Sequence, residues 1–152
     1  MRVFLGTDHA GFELKQDLVG RLTAAGHDVA DLGAVELDPS DDYPPYCLHV
    51  AAGVVSEPGT LGVVIGGSGN GEQIAANKMP GIRAALAWNV ATARLAREHN
   101  DANVVAIGAR MHSREEAWQI VSTFLSTSFS GDERHIRRIE QVAAYEKTHQ
   151  LP

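Results

Sequence analysis

Apolar residues along this chain alternate between short continuous runs and stretches spaced three or four apart. Val3-Phe4-Leu5 is a short run that stops at Gly6, as expected of a strand buried on both faces. Between Phe12 and Ala25 the apolar residues Phe12, Leu14, Leu18, Val19 and Leu22 form roughly a helical stripe, which Gly26 closes as a C-cap. His27 to Leu32 predicts a second strand. Gly33 to Pro45, rich in Asp, Pro and Ser, predicts a loop, and Tyr46 to Ser56 a helix closed by Pro58 and Gly59. Leu61 to Ile65 predicts a third strand. After a run of glycines come a helix from about Glu72 to Lys78, a turn at Pro80-Gly81 and a strand from Ile82 to Ala87. Val90 to His99 predicts a helix, Val104 to Ile107 a fifth strand, Arg114 to Leu125 a helix, and Asp132 to His149 a last helix.

Short strands alternating with helices imply a parallel sheet covered on both faces. With right-handed crossovers this is a Rossmann-like, three-layer α/β/α domain: a five-stranded parallel sheet plus an extra C-terminal helix, a single domain over residues 1–152. Ligands in such folds sit beyond the carboxyl ends of the strands. The last helix lies outside the strand–helix rhythm and is expected to pack on another subunit.

Composition narrows the function classes. The chain has 152 residues, which suits one domain with a real core. Its net charge of −6 argues against a nucleic-acid binder, so the cations for any small anionic substrate must be locally concentrated. No apolar run is long enough to cross a bilayer, and the N-terminal apolar stretch is too short for a signal peptide. The single cysteine, Cys47, excludes an internal disulfide and any multi-cysteine metal site. These features together lead us to expect a cytoplasmic enzyme with no membrane or nucleic-acid partner.

Three loops are expected to converge at the carboxyl edge: Gly6-Thr7-Asp8-His9-Ala10-Gly11, Gly66-Gly67-Ser68-Gly69-Asn70-Gly71-Glu72, and Gly108-Ala109-Arg110. The second has glycines that allow close backbone approach, and successive N–H groups there form an anion site. It is not a dinucleotide fingerprint, because from Gly67 the third glycine position is Glu72. It is not a P-loop, because no Gly-Lys-Ser/Thr follows. Two readings of Glu72 remain: a first-turn acid favoured by the helix dipole, or a carboxylate placed beside an oxyanion cradle for proton abstraction. Asp8 is either a cap residue or, with His9, part of a site. His99 and Asn100 either finish a helix or serve function. Arg134, Arg137 and Arg138, with His135, form either a solvated basic face or a phosphate clamp. No HExxH-like pair is present, so no metal site is expected.

Taken in order, these motifs resemble the type B ribose-5-phosphate isomerases, which group with the galactose-6-phosphate isomerase subunits. The marks are Gly6 to Phe12, Asp42-Tyr43-Pro44, Gly67 to Glu72 with Ile74-Ala75-Ala76-Asn77-Lys78, Arg97-Glu98-His99-Asn100, and Arg134 to Arg138. The likeness runs from Val3 to about Tyr145. It implies a metal- and cofactor-free aldose–ketose isomerisation through an enediolate, in the non-oxidative pentose phosphate pathway. Many members use a cysteine just before the glycine loop as the base. Gly66 stands there in this chain, which instead resembles the actinobacterial subgroup with a glutamate base, here Glu72. By the same resemblance Gly67, Ser68, Gly69, Asn70 and Gly71 hold the enediolate. His99 opens the ring with Asp8 opposite it, and Asn100 contacts a sugar hydroxyl. His9, Arg110, Arg134 and Arg138 bind phosphate. The family implies homodimers or homotetramers, with His99, Asn100, Arg134 and Arg138 contributed by the neighbour. Other expectations stay open: another phosphosugar, such as a tetrose or hexose phosphate, or a non-catalytic sugar-phosphate-binding module.

Overall fold

A computed structural model describes residues 1–151. The elements follow the order β1 (Arg2–Thr7), a 3-10 turn (His9–Gly11), α1 (Phe12–Ala24), β2 (Asp28–Asp31), α2 (Tyr43–Ser56), β3 (Leu61–Gly66), α3 (Asn70–Ala76), β4 (Ala84–Leu86), α4 (Val90–Asn100), β5 (Val104–Gly108), α5 (Arg114–Ser126) and α6 (Glu133–Thr148). All strands pair in parallel, in the order β2-β1-β3-β5-β4. The sheet is therefore the five-stranded, doubly wound one that the sequence implies.

Strand periodicity divides the core. Val3, Leu5, Val63, Ile65, Val105 and Ile107 point to one face, where α1, α4 and α5 cover them with Leu18, Leu22, Ala93, Ile120 and Phe124. Phe4, Val64, Val104 and Ala106 point to the other, under Val50, Ala51 and Val54 of α2 and Ala75 and Ala76 of α3. Helix α6 belongs to neither layer. It buries only His135 and leaves Ile136, Val142 and Tyr145 exposed.

Several boundaries differ from expectation; helix α3, for one, runs Asn70–Ala76 rather than from about Glu72 to Lys78, and β2 is confined to Asp28–Asp31. Helix α2 starts at Tyr43 rather than Tyr46, because Pro44 and Pro45 occupy its first turn, where their missing N–H groups have no intrahelical acceptor to lose. Strand β4 begins at Ala84 rather than Ile82. The Asn77 side chain donates to the Ala84 carbonyl (2.9 Å) and accepts from its N–H (2.8 Å), standing where a strand neighbour would. Helix α4 runs through Asn100, and Asp101, in the left-handed conformation at φ 43°, ends it.

The chain leaves β1 toward β2 on one side and returns to β3 on the other. The crevice between the carboxyl ends of β1 and β3 is thus a topological switch point, the position where doubly wound sheets hold ligands. No helix among the described residues is long and apolar enough to cross a membrane.

Candidate active site

At that switch point the loops after β1, β3 and β5 line a cleft of about 540 Å³, walled by Asp8, His9, Tyr43, Gly67, Ser68, Gly71, Glu72, Arg110 and Met111. The backbone frame is closed tightly. Thr7 Oγ1 donates to the Ile65 carbonyl at 2.7 Å, tying the end of β1 to that of β3. The Ala109 and Arg110 N–H groups donate to the carbonyls of Gly66 and Gly67, at 2.7 and 3.1 Å, tying β3 to β5.

Two glycines in the loop have specific reasons to be glycine. Gly69 sits at φ 83°, and a Cβ there would meet Leu86 at 2.6 Å and the Ile107 backbone at 2.9 Å. A Cβ on Gly66 would overlap the Glu72 carboxylate. The Glu72 side chain folds back over the end of β3 and fills the volume that a side chain at position 66 would claim. Glu72 is only 5% exposed. Burial raises its pKa above the ordinary value, with Asp8 adding to the rise and hydrogen bonds from backbone N–H groups opposing it. Helix-terminus stabilisation and desolvation thus compete at this carboxylate, and desolvation wins.

Asp8, also 5% exposed, accepts the Ala10 N–H on Oδ1 at 3.0 Å, so it caps the short turn as well as facing the cleft. His9 gives its backbone N–H to Asp41 Oδ1 at 2.8 Å, and its Nδ1 lies 2.8 Å from the same oxygen. That hydrogen bond raises the His9 pKa above 6.5; partial burial opposes it, and attraction to Asp8 and Asp41 reinforces it. Asp8, His9 and Asp41 bring potential ligand atoms within 4.8 Å of one another. The shortest of those contacts are already used as hydrogen bonds. Ser68 Oγ lies 3.2 Å from the Asn70 Nδ2, and Arg110 is exposed above Gly67.

Cys47 lies on the core side of this region, fully buried, its thiol pushed up to about 12 by burial and then by the charges of Glu72 and Asp8. It is a packed side chain with negligible thiolate at neutral pH.

The other anticipated site residues lie elsewhere. Helix α4 leads back to the amino end of β5, where the Asn103 carbonyl accepts from Gly62 at the start of β3. His99 and Asn100 therefore stand at the opposite edge of the sheet from Glu72. His99 stacks on His135 of α6, with ring centroids 4.3 Å apart. His135 Nδ1 lies 2.9 Å from Ser130 Oγ, and desolvation keeps its pKa below 6.5. Arg134 and Arg138 project from the same end of α6 and are exposed. One chain thus brings Asp8, His9, Gly67 to Gly71, Glu72 and Arg110 together and holds His99, Asn100, Arg134 and Arg138 apart from them. Tyr43 and Met111 in the cleft wall, and Asp41 beside His9, lacked an assigned role in the sequence. A Cβ on Gly71 would sit 2.6 Å from the Tyr43 ring and hydroxyl, and Asp41 holds His9. The Asp41-Asp42-Tyr43 run before two prolines was the available signal.

Fold and site together define a doubly wound α/β domain that sets a buried carboxylate beside a glycine-rich loop suited to an anion. The family described as Ribose/Galactose Isomerase matches residues 3–142. Ribose-5-phosphate isomerase B of Mycolicibacterium paratuberculosis is 57% identical over all of this chain and 96% of its own. The Escherichia coli protein of that name is 39% identical over 96% of this chain and 97% of its own. Among solved structures, Clostridium thermocellum ribose-5-phosphate isomerase B superposes with a TM-score of 0.93 at 42% identity, covering 99% of this chain and all of that one. The Mycoplasma genitalium enzyme with bound ribulose-5-phosphate does so with 0.92 at 40% identity, covering 97% of each chain. The chain belongs to the Ribose/Galactose Isomerase family, in the branch formed by the type B ribose-5-phosphate isomerases.

Proposed function

We propose that this chain interconverts ribose 5-phosphate and ribulose 5-phosphate, with Glu72 as the base, as a step of cytoplasmic pentose phosphate metabolism. The observation that carries the reading is the seat of Glu72: a buried carboxylate of raised pKa, packed into the space left by Gly66, in a cleft floored by the glycine loop. A hydrogen next to a carbonyl is weakly acidic, and a lone carboxylate removes it slowly. Donors aimed at the developing oxyanion are typically worth ~3–4 kcal/mol each. The backbone N–H groups from Gly67 to Gly71 and the Ser68 hydroxyl are suited to that task.

In the forward direction Glu72 takes the C2 hydrogen of the open-chain aldose, and the electron pair moves through C1 onto O1. The enediolate is held by the loop. A proton passes from O2 to O1, and protonation at C1 by Glu72 completes the ketose. His9 and Arg110 hold the phosphate. The bound ribulose-5-phosphate of the Mycoplasma genitalium enzyme supports this choice of ligand.

A single chain leaves the cleft open beside Glu72 and strands four expected residues at its other edge. We read the functional unit as a homodimer or a tetramer of dimers. A second copy brings its His99 and Asn100 to the ring oxygen and a sugar hydroxyl, and its Arg134 and Arg138 to the phosphate. The exposed Ile136, Val142 and Tyr145 of α6 fit this packing.

The test is turnover in heavy water. Ribulose 5-phosphate formed from ribose 5-phosphate should carry deuterium at C1 in those turnovers in which protonated Glu72 exchanges with solvent before it returns a proton, and the C2 hydrogen itself in the rest. Absence of turnover, or faster turnover of a tetrose or hexose phosphate, contradicts the assignment.

A further inference from the structure

Asp41 has no role in the chemistry above, yet the structure ties it to His9 twice. One oxygen, Oδ1, accepts both the His9 backbone N–H and the ring, each at 2.8 Å. The residues are 32 positions apart, so the contact joins the loop after β2 to the loop after β1. The Asp41 side chain is 11% exposed, its Oδ2 is buried without a hydrogen-bond partner among the described residues, and the Tyr46 phenol of α2 faces it, its pKa raised by burial and then by Asp41. A buried carboxylate so placed favours a cation beside it, and the ring of His9 is the group in contact. A Nδ1–H directed at Asp41 leaves Nε2 as the nitrogen free for a ligand.

We propose that Asp41 is a positioning residue for phosphate recognition: it fixes the His9 ring with Nε2–H available to the substrate phosphate and supplies the countercharge that keeps the ring cationic. This rests on the reading that His9 meets the phosphate. The surroundings act on the same ring from several sides. Asp8 lies 3.9 Å from Nδ1, and Asp38 adds negative charge from Asp41's own loop. Glu13 of α1, with His112 and Arg114 at the start of α5, lines one neighbouring wall. Glu72 and Arg110 line the other. Two arginines and one histidine oppose the cationic ring, and four carboxylates besides Asp41 favour it. Asp41 is the carboxylate in direct contact.

The experiment compares the assembled wild-type enzyme with Asp41→Asn and His9→Ala. Asn keeps an Oδ1 acceptor for the backbone N–H, removes the charge and turns the buried Oδ2 into an NH2 donor. For Asp41→Asn the KM for ribose 5-phosphate should rise roughly 10-fold at pH values where the wild-type ring is still protonated and the variant's is not, with kcat within about 2-fold, because charge-assisted hydrogen bonds are about twice as strong as neutral ones. Inhibition by inorganic phosphate should weaken in parallel. NMR titration of phosphate-free protein should show His9 protonating at lower pH than in wild type, a shift that a merely structural role would not produce. An unchanged KM–pH profile with an unchanged His9 titration overturns the proposal. If His9→Ala itself leaves KM unchanged, the phosphate role of His9 falls instead. If His9→Ala raises KM and Asp41→Asn does not, only the role of Asp41 falls.

Discussion

The two edges of the sheet hold opposite kinds of polar residue. At the carboxyl edge Asp8 and Glu72 are almost fully buried and tied into a closed backbone frame. At the amino edge Arg134 and Arg138 stand in solvent, and among the described residues Arg134 makes only a loose 3.9 Å contact with Asp132. A base needs a fixed, partly desolvated setting before substrate arrives, and burial supplies it. Guanidinium groups keep their charge whether wet or dry, so they can wait hydrated until a second copy covers them. On the reading proposed above, the carboxyl edge is a finished half-site, and the amino edge is a half-site that a second copy would complete.

The comparison breaks first at Glu72. Glu72→Gln should lower kcat by ~10³-fold or more, since general-base catalysis supplies about 10²–10⁴ and misplaced hydrogen bonding adds to the loss. The same change should stabilise the protein. The folded-state pKa of Glu72 is raised, so folding favours its protonated form, and that preference is lost as pH rises through the folded value. Above the folded value the ionised group costs stability, so its removal should raise Tm there. The gap should close as pH falls below the ordinary value of 4.5. A melting temperature equal or lower for the variant above the folded value contradicts the desolvated setting.

Next comes Gly66→Ala. Its methyl would occupy the Glu72 seat and swing the carboxylate away from the reacting carbon. Position 66 has ordinary backbone dihedrals, so the effect is one of space and not of backbone strain. A kcat loss of about 10²-fold is expected, from misplacement of a catalytic group by about 1 Å. Unchanged kcat would place the working carboxylate elsewhere. The smallest effect belongs to Cys47→Ala. With its thiol pushed up to about 12, Cys47 should neither carry the reaction nor react with iodoacetamide in the native enzyme. Inactivation by the reagent would show that the thiol reaches the site.

Much of the carboxyl edge was legible in the sequence because its groups are local. Glu72 follows Gly66 by six residues, and both belong to one strand–loop–helix unit. Strands were legible from their apolar runs. What was hidden depends on distant pairing or on dual-purpose residues. Pro44 and Pro45 read as loop residues, and the same prolines are well suited to a helix's first turn. The Asn77 side chain pairs with the backbone of Ala84 on β4, which no periodicity reveals. The His9–Asp41 pair spans 32 positions. The separation of His99 and the arginines from Glu72 follows from which edge of the sheet each connection reaches, and that needed the topology.

Subunit complementation tests the shared site most directly. Glu72→Gln damages only the carboxyl-edge half, and the double change Arg134→Ala and Arg138→Ala only the amino-edge half. Each variant alone should be nearly inactive on ribose 5-phosphate. If two-fold dimers share sites as described, mixing, unfolding and refolding equal amounts should restore about a quarter of wild-type activity: half the dimers are hybrids, and each carries one intact site of two. Activity that stays at the average of the two variants contradicts a site built from both edges.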